Sequence, residues 1–314
     1  CWIFSKLVYC QELIRAIKFG GNELEQGYCV AVDDQDNVYS TGFFTDTVDF
    51  DPGPLKYNLI EGNSTSYNLY ISKLDSSGKF IWAKSLFATD QRSSSDFLSS
   101  EKILISNGFI YIVGRFTGSV DFDPGPGTYQ LNSTLYYRYD GYILKLDLDG
   151  NFQWVKHLKG RENKSVSSID ADSKGNLYCT GYFSETIDFD FGPGVANLRP
   201  TDYDTYILKL APNGNFIWVK QFKGDLLGNS SSAIKIDNLD NIYVLGQFYG
   251  TMDFDPGQSS LKLSPNGDLD AYLVKLDPSG NFVWANTIAG PEFSLSEDLA
   301  IDASGFIYCI GDFY

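Results

Sequence analysis

The sequence predicts an all-β fold: a β-propeller of five four-stranded blades, closed by pairing the N- and C-terminal hairpins in one blade. Three recurrences carry that prediction. A DFDPG phrase starts at residues 49, 121, 188 and 253, the third copy reading DFDFG. A Trp recurs at 82, 154, 218 and 284, and a Gly ending a strand-like run recurs at 42, 114, 181, 246 and 311. All three series advance in phase by 64 to 72 residues, so one supersecondary unit is written repeatedly. With aromatics at 16% and Gly-centred turns between apolar runs, the unit is made of strands.

Each unit holds two hairpins. The first reads CVAVDDQDNVYSTGFF (29–44), SSIDADSKGNLYCTGYF (167–183), SAIKIDNLDNIYVLGQF (232–248) and LAIDASGFIYCIGDF (299–313). The second unit keeps both strands in KILISNGFIYIVGRF (102–116) and shortens the turn. The second hairpin reads YISKLDSSGKFIWAKSL (70–86), YILKLDLDGNFQWVKHL (142–158), YILKLAPNGNFIWVKQF (206–222) and YLVKLDPSGNFVWANTI (272–288). The D-x-x-G turns follow from chemistry: Asp accepts from the backbone two residues on, and Gly supplies positive φ.

The strands are apolar on both faces. In NIYVLGQF, Ile242, Val244 and Phe248 point one way, and Tyr243 and Leu245 the other. Such a strand lies in a sheet packed between two layers. Four-stranded sheets stacked face to face around an axis make a propeller. A solenoid is the structural rival, but its coils are short for a unit of two antiparallel hairpins. The recurring Gly is expected where neighbouring blades approach closely. The Trp series is expected in inter-blade packing rather than sugar stacking.

Residues 3–19 (IFSKLVYCQELIRAIKF) align with the second-type hairpin at 70–86, Lys6 at the place of Lys73 and Arg15 at that of Trp82. The chain ends just after a first-type hairpin. The expected blades are 27–87, 100–158, 166–222, 230–288, and 297–314 plus 1–19, in a single domain over 1–314. Pairing the two half-blades would cover the edges that an open ring exposes.

The phrases KLDPSGNFVWA (275–285), the N-(V/L/I)-Y-x-x-G runs and the VDFDPGPG loops resemble the SBBP-type bacterial β-propeller repeat family, across essentially the whole chain. The family name implies seven blades, where the count here is five. The resemblance implies an exported, extracellular or cell-surface bacterial protein with a binding or scaffolding role, and it brings no catalytic residues.

Net charge is −16, which argues against a nucleic-acid backbone or an anionic membrane as partner. No apolar run approaches the ~18 residues of a membrane span. The five Cys (1, 10, 29, 179, 309) lack metal-type spacing and read as small buried hydrophobes. The chain opens on Cys1 with no signal peptide in view, which fits a targeting segment removed or lying outside it.

The candidate chemistry lies in DFDPG. In an extended stretch, residues i and i+2 share a side, so Asp49 and Asp51, Asp121 and Asp123, Asp188 and Asp190, and Asp253 and Asp255 face together while the Phe between them turns inward. One reading makes these pairs Ca2+ ligands. Calcium takes about six to eight oxygens, so loop carbonyls and a further side chain (Asn68, Asp140, Asp204 or Asp270) would have to join. The other reading makes them turn caps before Pro-Gly. Phe191 stands where other copies have Pro, yet both Asp remain.

Catalysis has little support. His157 is the only His, where other units carry Ser85, Gln221 and Asn286, and there is no G-x-S-x-G. Sequons at Asn63, Asn132, Asn163 and Asn229 matter only if the source glycosylates asparagine. The expectation is a non-enzymatic module, structural, adhesive or protein-interacting, with a protein or surface-glycan partner. The alternative is a carbohydrate-active enzyme or lectin-like binder using acidic or aromatic loops. The insertion at 136–139 (YYRY) is the expected interaction surface.

Overall fold

The computed structural model describes residues 16–21, 23–60, 68–89, 97–226, 228–290 and 292–313. Among them every regular element is a strand, and no helix is long and apolar enough to cross a membrane.

The long strands form four complete antiparallel meanders and one hairpin. Sheet 1 runs Glu25–Val32, Val38–Phe44, Asn68–Leu74, Phe80–Ala88. Sheet 2 runs Leu98–Ser106, Phe109–Phe116, Asp140–Asp147, Phe152–Leu158. Sheet 3 runs Lys164–Ala171, Leu177–Phe183, Asp204–Leu210, Phe216–Gly224, and sheet 4 runs Ser230–Ile236, Ile242–Tyr249, Leu269–Leu276, Phe282–Ile288. Sheet 5 is Ser294–Ile301 paired with Ile307–Phe313. First strands of successive sheets lie against one another, so the molecule is propeller-like. The predicted hairpin at 3–19, with Arg15, lies outside the described residues except for 16–19.

Local chemistry sets the turns. Asp33 Oδ1 accepts from the backbone N–H groups of Gln35 and Asn37 at 3.0 and 2.9 Å. Its Oδ2 accepts from Asn37 Nδ2 and the Tyr39 hydroxyl at 2.8 and 3.0 Å. Asp172 and Asp237 repeat the same set. The fourth turn residue has positive φ: 77° at Gly175, and 61° at both Asp36 and Asp240, where Asp replaces Gly. The shortened hairpin of sheet 2 turns through Asn107 and Gly108, at 50° and 75°, the two-residue turn whose twist matches a hairpin.

Sheets 2, 3 and 4 are sandwiched as the alternation predicts. Ile242, Val244 and Phe248 pack with Ile207 and Phe222 of sheet 3, while Tyr243 and Leu245 pack with Leu299 of sheet 5.

The recurring glycine has a different cause from the expected one. A Cβ on Gly42, Gly114 or Gly181 would overlap the carbonyl oxygen of Gln26, Ser99 or Ser165, on the first strand of the same sheet. Those strands carry a bulge there. The ring of Tyr142 lies over Gly114, and its hydroxyl donates to Ser99 O at 2.9 Å; Tyr206 does the same to Ser165 O. The constraint is therefore within a sheet, not between sheets.

The Trp series does join sheets. Trp82 Nε1 donates to Leu148 O at 3.2 Å, on the outer turn of sheet 2. The rings of Trp154 and Trp218 lie against Gly214 and Gly280 of the next outer turns. The recurring Lys of KLD adds a latch: Lys73 Nζ reaches Leu148 O at 3.3 Å and Lys145 Nζ reaches Pro212 O at 2.9 Å.

Candidate functional site

Two regions could carry function: the DFDPG corners and the axial mouth beside them. The corners form after each second strand. Phe50, Phe122, Phe189 and Phe254 are buried, anchoring the phrase. Asp49 Oδ1 accepts from the N–H groups of Asp51 and Tyr57, at 3.1 and 3.0 Å, and Asp51 Oδ1 from that of Gly53 at 2.7 Å. The pairs Asp121 with Asp123, Asp188 with Asp190, and Asp253 with Asp255 repeat this pattern. One oxygen of every predicted carboxylate thus caps the corner's own backbone. Phe191 substitutes for Pro without disturbing the caps, because the caps use Asp and backbone alone.

Among the described residues no group of three or more His, Cys, Asp or Glu gathers as metal ligands would. Two of the residues expected to complete such a set, Asp140 and Asp204, bond elsewhere. Asp140, fully buried, takes Lys164 Nζ at 3.1 Å and His157 Nε2 at 2.8 Å. Burial alone would raise its pKa, but His157 and Lys164 outweigh it and hold the carboxyl below its usual range. Among the described residues Asp204 forms no ion pair, and burial pushes its pKa up. His157 is accordingly engaged with a buried carboxylate. The strand register puts Thr287, not Asn286, at its place in sheet 4.

The first strands converge at the axis, and at the corner end they line a cavity of about 400 Å³. Ser167, Ser232, Ser296 and Gln247 supply neutral polar groups, and Glu101, Arg115 and Glu297 the charges. The Ser232 and Ser296 hydroxyls lie 2.9 Å apart, linking sheets 4 and 5. Arg115 Nε lies 3.2 Å from Glu101 Oε1, an ion pair without the alignment of a hydrogen bond. The Arg115 guanidinium also stacks 4.8 Å from the Tyr139 ring centroid, which ties the mouth to the loop at 133–139. In that loop Tyr136 and Tyr137 are exposed, and Arg138 pairs with Glu162 at 3.5 Å.

Deeper in the axis, Lys102 of sheet 2 meets Asp298 of sheet 5 at 2.8 Å. Asp170 lies half-buried near Lys235, its carboxyl raised by desolvation. Sequence reasoning missed this axial set, since each member sits at a strand position indistinguishable from its neighbours. A polar residue breaking the apolar alternation of a first strand, as Lys102 and Asp170 do, was the available signal.

No family model matches the chain. A protein described as an uncharacterized WD repeat-containing protein of Acanthamoeba polyphaga mimivirus is 23% identical, over 90% of this chain and 24% of its own length. The chain thus spans about a quarter of that relative. The pyranose dehydrogenase PQQ domain of Coprinopsis cinerea aligns over 95% of both chains, at 11% identity and a TM-score of 0.39. A protein of unknown function from Bacteroides caccae aligns over 84% of this chain and 82% of its own, at 10% identity and a TM-score of 0.34. These likenesses are too low to bring a ligand, an activity or a cellular location to this chain.

Proposed function

We propose that this chain is a non-enzymatic interaction module, a single five-sheet propeller that presents its axial mouth and the 133–139 loop to a protein partner. The observation that carries this reading is the mouth itself. A hydroxyl-lined cavity lies beside two exposed tyrosines, and of its three charged groups Glu101 is paired with Arg115 while Glu297 stands exposed at the rim. Glu101, held by Arg115, is a poor general acid. The serine lining favours a glycan as the second reading.

Ring closure belongs to the same proposal. Gly20 bridges Asp49 as Phe87 bridges Asp121 and Lys223 bridges Asp253, so 16–20 run as the outer strand of a preceding sheet would. Val30 of sheet 1 and Ile310 of sheet 5 are 66% and 61% exposed, while their counterparts Ile169 and Leu245 are each 1% exposed. Residues 3–15, as the two outer strands of sheet 5, would cover those faces. The repeat resemblance supports an exported, cell-surface setting. The DFDPG pairs serve as self-capped corners in this reading, and added calcium or a chelator leaves the unfolding midpoint unchanged.

A photo-crosslinking amino acid at position 137 tests the binding face in native cells, with position 174 at the opposite end as control. One partner protein captured at 137 and not at 174 is expected. Equal background at both positions overturns the reading, and glycan conjugates at 137 favour the second.

A further inference from the structure

The third strands of sheets 2, 3 and 4 each carry a fully buried aspartate within their first two residues, facing the next sheet: Asp140, Asp204 and Asp270. The seams differ in what they offer it. Asp140 Oδ1 takes Lys164 Nζ and Gly160 N at 3.1 and 3.3 Å, and Oδ2 takes His157 Nε2 and Thr134 N at 2.8 and 3.0 Å. Asp204 Oδ1 takes Gly224 N at 2.9 Å, and Oδ2 takes Gln221 Nε2 and Thr201 N at 2.6 and 3.2 Å. Asp270 Oδ2 takes Asn266 N at 2.7 Å, and its Oδ1 has no partner.

The residue opposite is changed to match. Lys164 opens sheet 3 and pairs with Phe183; Ser294 opens sheet 5 and pairs with Phe313. A parallel bridge between Leu269 and Phe293 sets positions 270 and 294 side by side. The bond from Lys164 N to Tyr139 O does the same for 140 and 164. Ser294 is also fully buried, and its Oγ has no partner. One seam therefore answers its buried carboxylate with an ammonium, and the other with an unpaired hydroxyl on a side chain too short to bring a charge.

An ionised carboxylate held away from water needs a counter-charge as well as hydrogen bonds. We propose that the seam between sheets 4 and 5 binds one monovalent cation of ammonium or potassium size, against Asp270 Oδ1 and Ser294 Oγ. One carboxylate among neutral oxygens balances a single positive charge, whereas calcium sites gather more anionic oxygen, and no such group occurs among the described residues. The Lys164 ammonium indicates the size.

The test is thermal unfolding of the full chain in potassium chloride and in choline chloride, at equal ionic strength and pH. A ligand bound only by the folded state raises the midpoint with its concentration. Potassium should raise it saturably by several degrees, and choline, too large to enter, should not. Ser294→Lys carries its own ammonium, so it should raise the midpoint in choline and abolish the potassium response. Asp270→Asn should abolish the response as well. Equal midpoints in the two salts overturn the proposal, as does a response that survives Asp270→Asn. If that variant fails to fold, a rubidium-soaked crystal of the natural chain decides, by the presence or absence of an anomalous peak at the seam.

Discussion

Lys102 Nζ and Asp298 Oδ2 meet at 2.8 Å, although 196 residues separate them in the chain. They stand on the first strands of sheets 2 and 5, so the pair spans the axis and shows that the row of sheets curves back on itself. Their side chains are 25% and 44% exposed, so solvent screens the attraction. A double-mutant cycle with Lys102→Ala and Asp298→Ala should give a coupling of about 0.2–1 kcal/mol, falling as salt is added. Zero coupling at low salt would remove the link across the axis.

The buried pair behaves differently. Lys164 and Asp140 are both fully buried, and removing one partner strands the other. Lys164→Met should cost about 3–5 kcal/mol in chemical denaturation. Adding Asp140→Asn should recover part of the loss, because the stranded charge is gone. A double variant worse than the single would show that the pair is packing rather than electrostatics.

Acid should unfold this chain through its turns. Asp33, Asp172 and Asp237 are held below the usual carboxylate range: burial alone would raise them, and the bonds from Asn37, Asn176 and Asn241 outweigh it. A folded pKa below the unfolded value gives stability that is present above the unfolded pKa, about 3.9, and lost as pH falls through the folded one. Asp204, raised by burial, has the opposite sign: its contribution is present below the unfolded pKa and lost as pH rises through the folded one. Unfolding free energy measured against pH should therefore fall steeply below about pH 4. Asn substitution at Asp33, Asp172 and Asp237 together should flatten that limb.

The Trp series separates packing from hydrogen bonding. Trp82 Nε1 donates to Leu148 O, whereas the Nε1 of Trp154 is buried with no acceptor. Trp82→Phe should cost about 1 kcal/mol more than Trp154→Phe, the net worth of one hydrogen bond. Equal costs would mean that the indole N–H contributes nothing at the outer seam.

The fold was legible because it is written several times. Periods, turn residues and two-faced strands repeat, so noise in one copy is corrected by the next. The corners were legible to the level of Asp and Phe, since local backbone geometry determines what Asp49 or Asp188 can reach. The glycine was misassigned to seams because a Cβ clash with a bulged carbonyl on its own sheet has no signature in spacing. The axial pair and the seam aspartates were not legible in role, because each depends on a partner one or more sheets away. Lys164 and Ser294 occupy equivalent positions, and only the assembled seam reveals that one replaces the other.

Hydrogen exchange on Ile307–Phe313 tests the ring most directly. One edge of this strand pairs with Ser294–Ile301, and the proposed closure pairs the other edge with residues 3–9. Amides on that second edge should be strongly protected in the full chain, and should lose protection when residues 1–19 are deleted while sheets 2 to 4 keep theirs. Rapid exchange there in the full chain, or protection unchanged by the deletion, would contradict a ring closed by its own termini.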